Sequence, residues 1–141
     1  MGKLLGLDFG SKRVGLALSD EEKKYAFAQD TLEYEEESVL LEKLKEITDI
    51  EKVEKIIIGW PLNLAGGKTA QTERVEKFAQ KLKNKLNIGL VYGDERLTSQ
   101  MSRSLFGDKR GKGRATKNEV NAQSARIILQ DYIDRKSLGK T

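Results

Sequence analysis

Asp8 interrupts an apolar run of Leu4, Leu5 and Leu7 and leads into a turn bracketed by Gly10 and Gly15, where Val14, Leu16, Ala17 and Leu18 begin a second run. A carboxylate inside a buried strand is costly unless it is paired or holds a metal. An acid placed there is expected to have a chemical role. A second acidic pair, Asp94-Glu95, closes the apolar stretch from Ile88 to Tyr92. If the first strand is central to a sheet, both acidic sites meet at one edge, where α/β proteins place their sites. Converging carboxylates repel, and one is protonated near neutral pH unless a cation intervenes. Mg²⁺ or Mn²⁺ suits such oxygen donors. Two such ions about 3.5–4 Å apart activate a water and stabilise the leaving oxygen in phosphodiester cleavage.

That chemistry needs no histidine, and the chain has none; it has no cysteine either. Ser-His-Asp and Cys-His triads, histidine- or thiolate-bound zinc and disulfides are thereby excluded. Catalysis must run on carboxylates, Lys, Arg, hydroxyls or a bound ion. The formal charge of +4 is unevenly spread. Residues 103–117 hold Arg103, Lys109, Arg110, Lys112, Arg114 and Lys117 against Asp108, a local charge of +5, while the remainder carries 20 bases and 21 acids. All the excess positive charge lies in one segment, which suggests a polyanionic partner. Acids at strand ends and a basic loop together point to a nuclease.

The elements that must position these groups follow from periodicity. Three β-like runs at 3–9, 13–19 and 25–32 suggest an antiparallel meander. Val39, Leu40, Leu44 and Ile47 mark a helix over 36–50, its opening acids Glu35, Glu36 and Glu37 facing water at the positive end of the helix dipole. Lys55 to Trp60 reads as a strand buried on both faces. A helix over 69–86, a strand over 88–92, a short helix over 98–106, a glycine-rich mobile loop to 117 and a last helix over 119–134 complete the order. The last helix carries Ala122, Ala125, Ile128, Leu129 and Tyr132 or Ile133 on one side. This order implies a mixed sheet of the α/β class, an antiparallel meander joined to parallel strands and flanked by helices. The 141 residues form one domain, with 135–141 a C-terminal tail. Lacking a long apolar run or signal-like leader, the chain is expected to be soluble and cytoplasmic, with no membrane partner.

Three segments carry a resemblance. They are Gly6-Leu7-Asp8-Phe9-Gly10-Ser11-Lys12-Arg13-Val14-Gly15, Ile58-Gly59-Trp60-Pro61-Leu62-Asn63 and Asp94-Glu95-Arg96-Leu97-Thr98, with Ala125 to Tyr132 agreeing at the end. In order and spacing the chain resembles the YqgF/RuvX family, the Holliday-junction-resolvase-like or pre-16S rRNA nucleases of bacteria, over residues 3–134. The resemblance implies an RNase H-like fold with a mixed five-stranded sheet, and a metal-dependent nuclease acting in 5′-end maturation of pre-16S rRNA. Junction resolution is the runner-up. The implied partners are precursor rRNA or branched DNA and ribosomal particles, and the implied state is a monomer or weak homodimer.

Carried over by position, Asp8 and Glu95 resemble the family's first and second metal-binding acids. The third acid is replaced here: its Val/Ile-Asp dipeptide is Val120-Asn121. Asn offers a neutral carbonyl oxygen, which ligates a cation but neither neutralises it nor acts as a base. Asn121 reads equally as a weakened ligand or as a helix N-cap. Glu119 would point about 200° away from it on a helix and is a poor substitute.

Arg96 is placed either to grip a scissile phosphate or to hold Asp94. Lys12 and Arg13 reach substrate phosphate or lie in a solvated turn. Thr98 and Ser99 suit an N-cap region. Trp60, the single Trp, stacks on a base or packs under the loop that follows it. Gly66-Gly67-Lys68-Thr69 resembles the tail of a P-loop, but Leu62 stands where that motif needs its first Gly. An actin-like ATPase would need a second lobe, and a dinucleotide fold its G-x-G-x-x-G. The reading from another class is a nucleic-acid-binding protein without catalysis, motivated by Asn121.

Overall fold

The computed structural model describes residues 2–10, 12–61, 65–94 and 117–137. Among the described residues nine elements follow in order: β1 (Lys3–Phe9), β2 (Arg13–Ser19), β3 (Ala26–Ala28), β4 (Leu32–Glu33), α1 (Glu37–Ile50), β5 (Val53–Trp60), α2 (Ala70–Leu86), β6 (Gly89–Asp94) and α3 (Lys117–Ser137). Their strands make one mixed sheet in the order β3-β2-β1-β5-β6, with β4 also paired to β2. β1 is central, antiparallel to β2 and parallel to β5, and β5 is parallel to β6. The ends of β1, β5 and β6 therefore emerge at one edge.

The β1–β2 turn is closed by the Gly10 amide donating to the Arg13 carbonyl at 2.8 Å and by the Tyr34 hydroxyl donating to Gly10 O at 2.7 Å. The run expected as one strand over 25–32 is broken in two, so the sheet has six strands rather than five. β3 pairs with Ala17–Ser19 and β4 with Arg13 and Val14, while the polar Gln29-Asp30-Thr31 leaves the ladder after the Gln29 amide bonds Leu16 O at 2.8 Å.

The sheet has a hydrophobic cluster on each face. On one, Leu5, Leu7, Phe9, Val14, Leu16, Leu18, Ile56 and Ile58 meet Leu40 and Leu44 of α1 and Val75, Phe78, Ala79 and Leu82 of α2. On the other, Leu4, Ala17, Ala26 and Ile57 meet Ala125, Ile128, Leu129 and Ile133 of α3. Val39, which shares the helical spacing of α1, is 46% exposed instead. α2 begins with a capping box between Thr69 and Thr72 and ends at Asn87 in the left-handed region, φ 54°. The Gly66-to-Thr69 stretch is thus a helix entry rather than a phosphate cradle.

α3 runs further than its apolar pattern predicts, from Lys117 to Ser137. Lys117 belongs to its first turn and not to the basic loop, and residues 135–137 belong to the helix and not to a tail. The expected helix over 98–106 lies outside the described residues.

Candidate nuclease site at the sheet edge

Asp8 is half-buried at the end of the central strand. Its partner across the β1–β2 ladder is Gly15. On the other side, the pairing of Leu7 with Ile58 sets Gly59 beside Asp8, and Gly59 pairs with Gly93. Side chains alternate between faces along a strand, so Gly15, Gly59 and Gly93 share with Asp8 the face turned to α3. The carboxylate therefore lies in a row whose other members have no side chain.

α3 lies close over this row. A Cβ at Gly6 would stand 2.8 Å from Ala125 O, and one at Gly93 2.8 Å from Ile128 Cγ2. At Gly15 it would stand 2.1 Å from Asn121 O, so only glycine fits. From Gly6 to Asp8 the strand advances about 6.6 Å. From Ala125 back to Asn121 the helix advances about 6 Å, one turn along the same stripe. Strand and helix keep step, and Asn121 comes to rest over the Asp8–Gly15 pair. Residues 113 positions apart in the chain are brought together in this way.

Asn121 is the fifth residue of α3. An N-cap has a non-helical backbone and precedes the first turn, so the capping role considered for Asn121 is excluded. Asn121 is partly exposed, and its backbone lies over Gly15, the partner of Asp8. Glu95 directly follows Asp94, the last residue of β6, which pairs with Trp60 at this edge. Glu95 itself, with Arg96, Thr98, Ser99, Arg103, Lys109, Arg110, Lys112 and Arg114, lies outside the described residues. Among the described residues no three acidic side chains gather into a metal-holding group. The donors at hand are the Asp8 carboxylate and the Asn121 amide oxygen, hard oxygens that suit Mg²⁺ or Mn²⁺.

Lys12 is exposed in the turn after Asp8, and Arg13 makes a long contact of 3.5 Å to Glu33. Both line an open groove of about 500 Å³ with Tyr34, Glu36, Val39 and Lys43. Burial pushes the Tyr34 phenol above its ordinary value, with the Glu37 charge acting in the same direction. Trp60 packs: its indole nitrogen donates to Glu76 Oε2 at 3.1 Å and its ring lies against Tyr92. The glycine row was the missed part of the site. Its signal was present as Gly6, Gly15, Gly59 and Gly93 at strand positions otherwise held by bulky residues, but without the register nothing aligned them.

A central strand ending in an acid, flanked by an antiparallel hairpin and parallel crossovers, defines a protein of the RNase H-like class. Residues 2–135 match the family described as RuvX: Holliday junction resolvase, and the chain belongs to that family. It is 36% identical over 133 residues to a protein of Maridesulfovibrio salexigens assigned as a pre-16S rRNA nuclease, covering 94% of this chain and 98% of the relative. A protein of Dictyoglomus turgidum with the same assignment is 32% identical, with 96% of each chain covered. In fold the chain resembles T. thermophilus RuvC solved with a Holliday junction substrate, with a TM-score of 0.63, 10% identity, and 100% and 99% of the two chains covered.

Proposed function

We propose that this single-domain protein is a divalent-metal-dependent nuclease that hydrolyses phosphodiester bonds at the 5′ end of precursor 16S rRNA. The observation that carries this reading is the seat of Asp8, a half-buried carboxylate in a row of glycines at the end of the central strand, with the α3 backbone at Asn121 close over its partner Gly15. Asp8, Glu95 and the Asn121 carbonyl would hold Mg²⁺ or Mn²⁺. When bound, such an ion polarises a phosphoryl oxygen and lowers the pKa of a coordinated water. Asp8 supplies negative charge from the central strand and orients the site. Asn121 donates an oxygen without charge, so the site holds its ion less tightly than three carboxylates would. Lys12, Arg13, Arg96, Lys109, Arg110, Lys112, Arg114 and Lys117 grip the phosphate backbone, which fixes position and not sequence.

The assignment of the two relatives supports an rRNA substrate. A second reading, resolution of branched DNA, is favoured by the family description and by the likeness to RuvC. A two-fold junction calls for a dimer, whereas the rRNA reading is served by a monomer or weak homodimer working on ribosomal particles in the cytoplasm. Among the described residues no helix is long and apolar enough to cross a membrane. Parallel assays on precursor 16S rRNA and a four-way DNA junction, with Mg²⁺ or Mn²⁺, separate the readings. Cleavage of the rRNA is expected, with loss in Asp8→Asn. Binding without cleavage of either substrate would leave the non-catalytic reading in its place.

A further inference from the structure

At the same edge, on the face turned away from α3, two aromatic rings stand together. Trp60 ends β5 and Tyr92 lies beside it in β6, their centroids 5.4 Å apart and their planes 31° from parallel. Trp60 is fixed from behind. Glu76 Oε2 accepts from its indole nitrogen at 3.1 Å and from Lys68 Nζ at 3.0 Å, and that ammonium lies 6.0 Å from the indole centroid. Tyr92 is 43% exposed, so the pair presents one open ring on a held backing. Trp60 is one residue beyond Gly59, the neighbour of Asp8, so this pair shares the sheet edge of the candidate site but lies on the opposite face.

We propose that Tyr92, backed by Trp60, is a stacking platform for an unpaired base of the bound strand, with Lys68 placed for an adjoining phosphate. Every base has a π face, so such a platform is tolerant of sequence but not of pairing. A base inside a duplex is stacked on both sides and must be extruded before it can engage. The platform would therefore select single-stranded segments over duplex. It rests on the nuclease reading only for the identity of the bound strand, which would pass round the sheet edge from Asp8, because stacking itself can be read without cleavage.

Trp60 is the only Trp in the chain and reports directly. In EDTA, the full chain is titrated with a short single-stranded oligoadenylate and with its duplex with oligouridylate. The single strand is expected to quench Trp60 emission saturably, and the duplex is not. Tyr92→Ala should weaken single-strand binding about tenfold and leave duplex binding unchanged. Tyr92→Leu, which keeps apolar bulk over Trp60, should show the same loss, and Tyr92→Phe should bind like the parent. Wild-type single-strand affinity in Tyr92→Leu, or equal loss for strand and duplex, overturns the proposal. An intact strand preference with no cleavage in Mg²⁺ or Mn²⁺ overturns the nuclease reading alone. Cleavage with no effect of Tyr92 overturns the platform alone.

Discussion

The two faces of the sheet are built from the same strands to opposite rules. Toward α1 and α2 the strands present Leu5, Leu7, Phe9, Val14, Leu16, Ile56 and Ile58, a layer of large side chains that holds the helices at a distance. Toward α3 they present Leu4, Ala17 and Ile57 and, around Asp8, Gly6, Gly15, Gly59 and Gly93, and the helix backbone comes close over Gly6 and Gly15. The first face is filled for stability. The second gives up apolar bulk near Asp8, and there the helix backbone at Asn121 comes close over Gly15. The proposed site lies on this side.

This contrast can be broken by moving carbon atoms between the faces. The largest effect is expected at Asp8, where Asn should lower divalent-dependent cleavage by about 10³-fold while thermal unfolding stays close to the parent. On the filled face, Leu7→Ala removes a fully buried side chain and should cost about 3 kcal/mol by denaturant titration. On the thin face the opposite change does the damage. Gly15→Ala drives a Cβ into Asn121 O and should cost about 2 kcal/mol or more, with cleavage falling as α3 is displaced. A tolerated Ala at Gly15 would mean that α3 is not held close there.

The next test sharpens the polar side of the contrast. Asn121→Asp adds a charge over Asp8 and should tighten Mn²⁺ binding about tenfold by calorimetry, with equal or faster cleavage. No change in either would remove position 121 from the metal site. The smallest effect concerns the Trp60 corner. The Lys68 ammonium holds the Glu76 carboxyl below its ordinary value, opposed by desolvation and helped by the Trp60 indole. A depressed acid stabilises above its unfolded pKa and loses that contribution as pH falls through the folded one. Trp60 emission should thus be steady down to about pH 4.3 and change only below it, and Glu76→Gln should abolish that acid transition.

Much of this was legible in the sequence because it is local. The apolar runs in Lys3–Phe9 and Arg13–Ser19, the helical spacing of Val75, Phe78, Ala79 and Leu82, and the glycine turn after Asp8 each declare themselves within a few residues. The break between β3 and β4 was not legible, because the polar Gln29-Asp30-Thr31 leaves a ladder whose partner strand lies elsewhere. The true start of α3 was hidden as well. Lys117 and Asn118 add no apolar periodicity, so the pattern begins later in the sequence and leaves Asn121 open to reading as a cap.

By itself the sequence determined the chemical repertoire: acids at strand ends, a segment of excess positive charge, and no His or Cys to support any other catalysis. Those are properties of residue type and near spacing, which survive without a fold. Only the tertiary structure decided that Asp8 lies at mid-sheet, that Gly15, Gly59 and Gly93 share its row, and that Asn121 sits above it as a residue inside the helix. Each of those depends on strand register and on the approach of a helix more than a hundred residues away, and no local period in the chain encodes that approach.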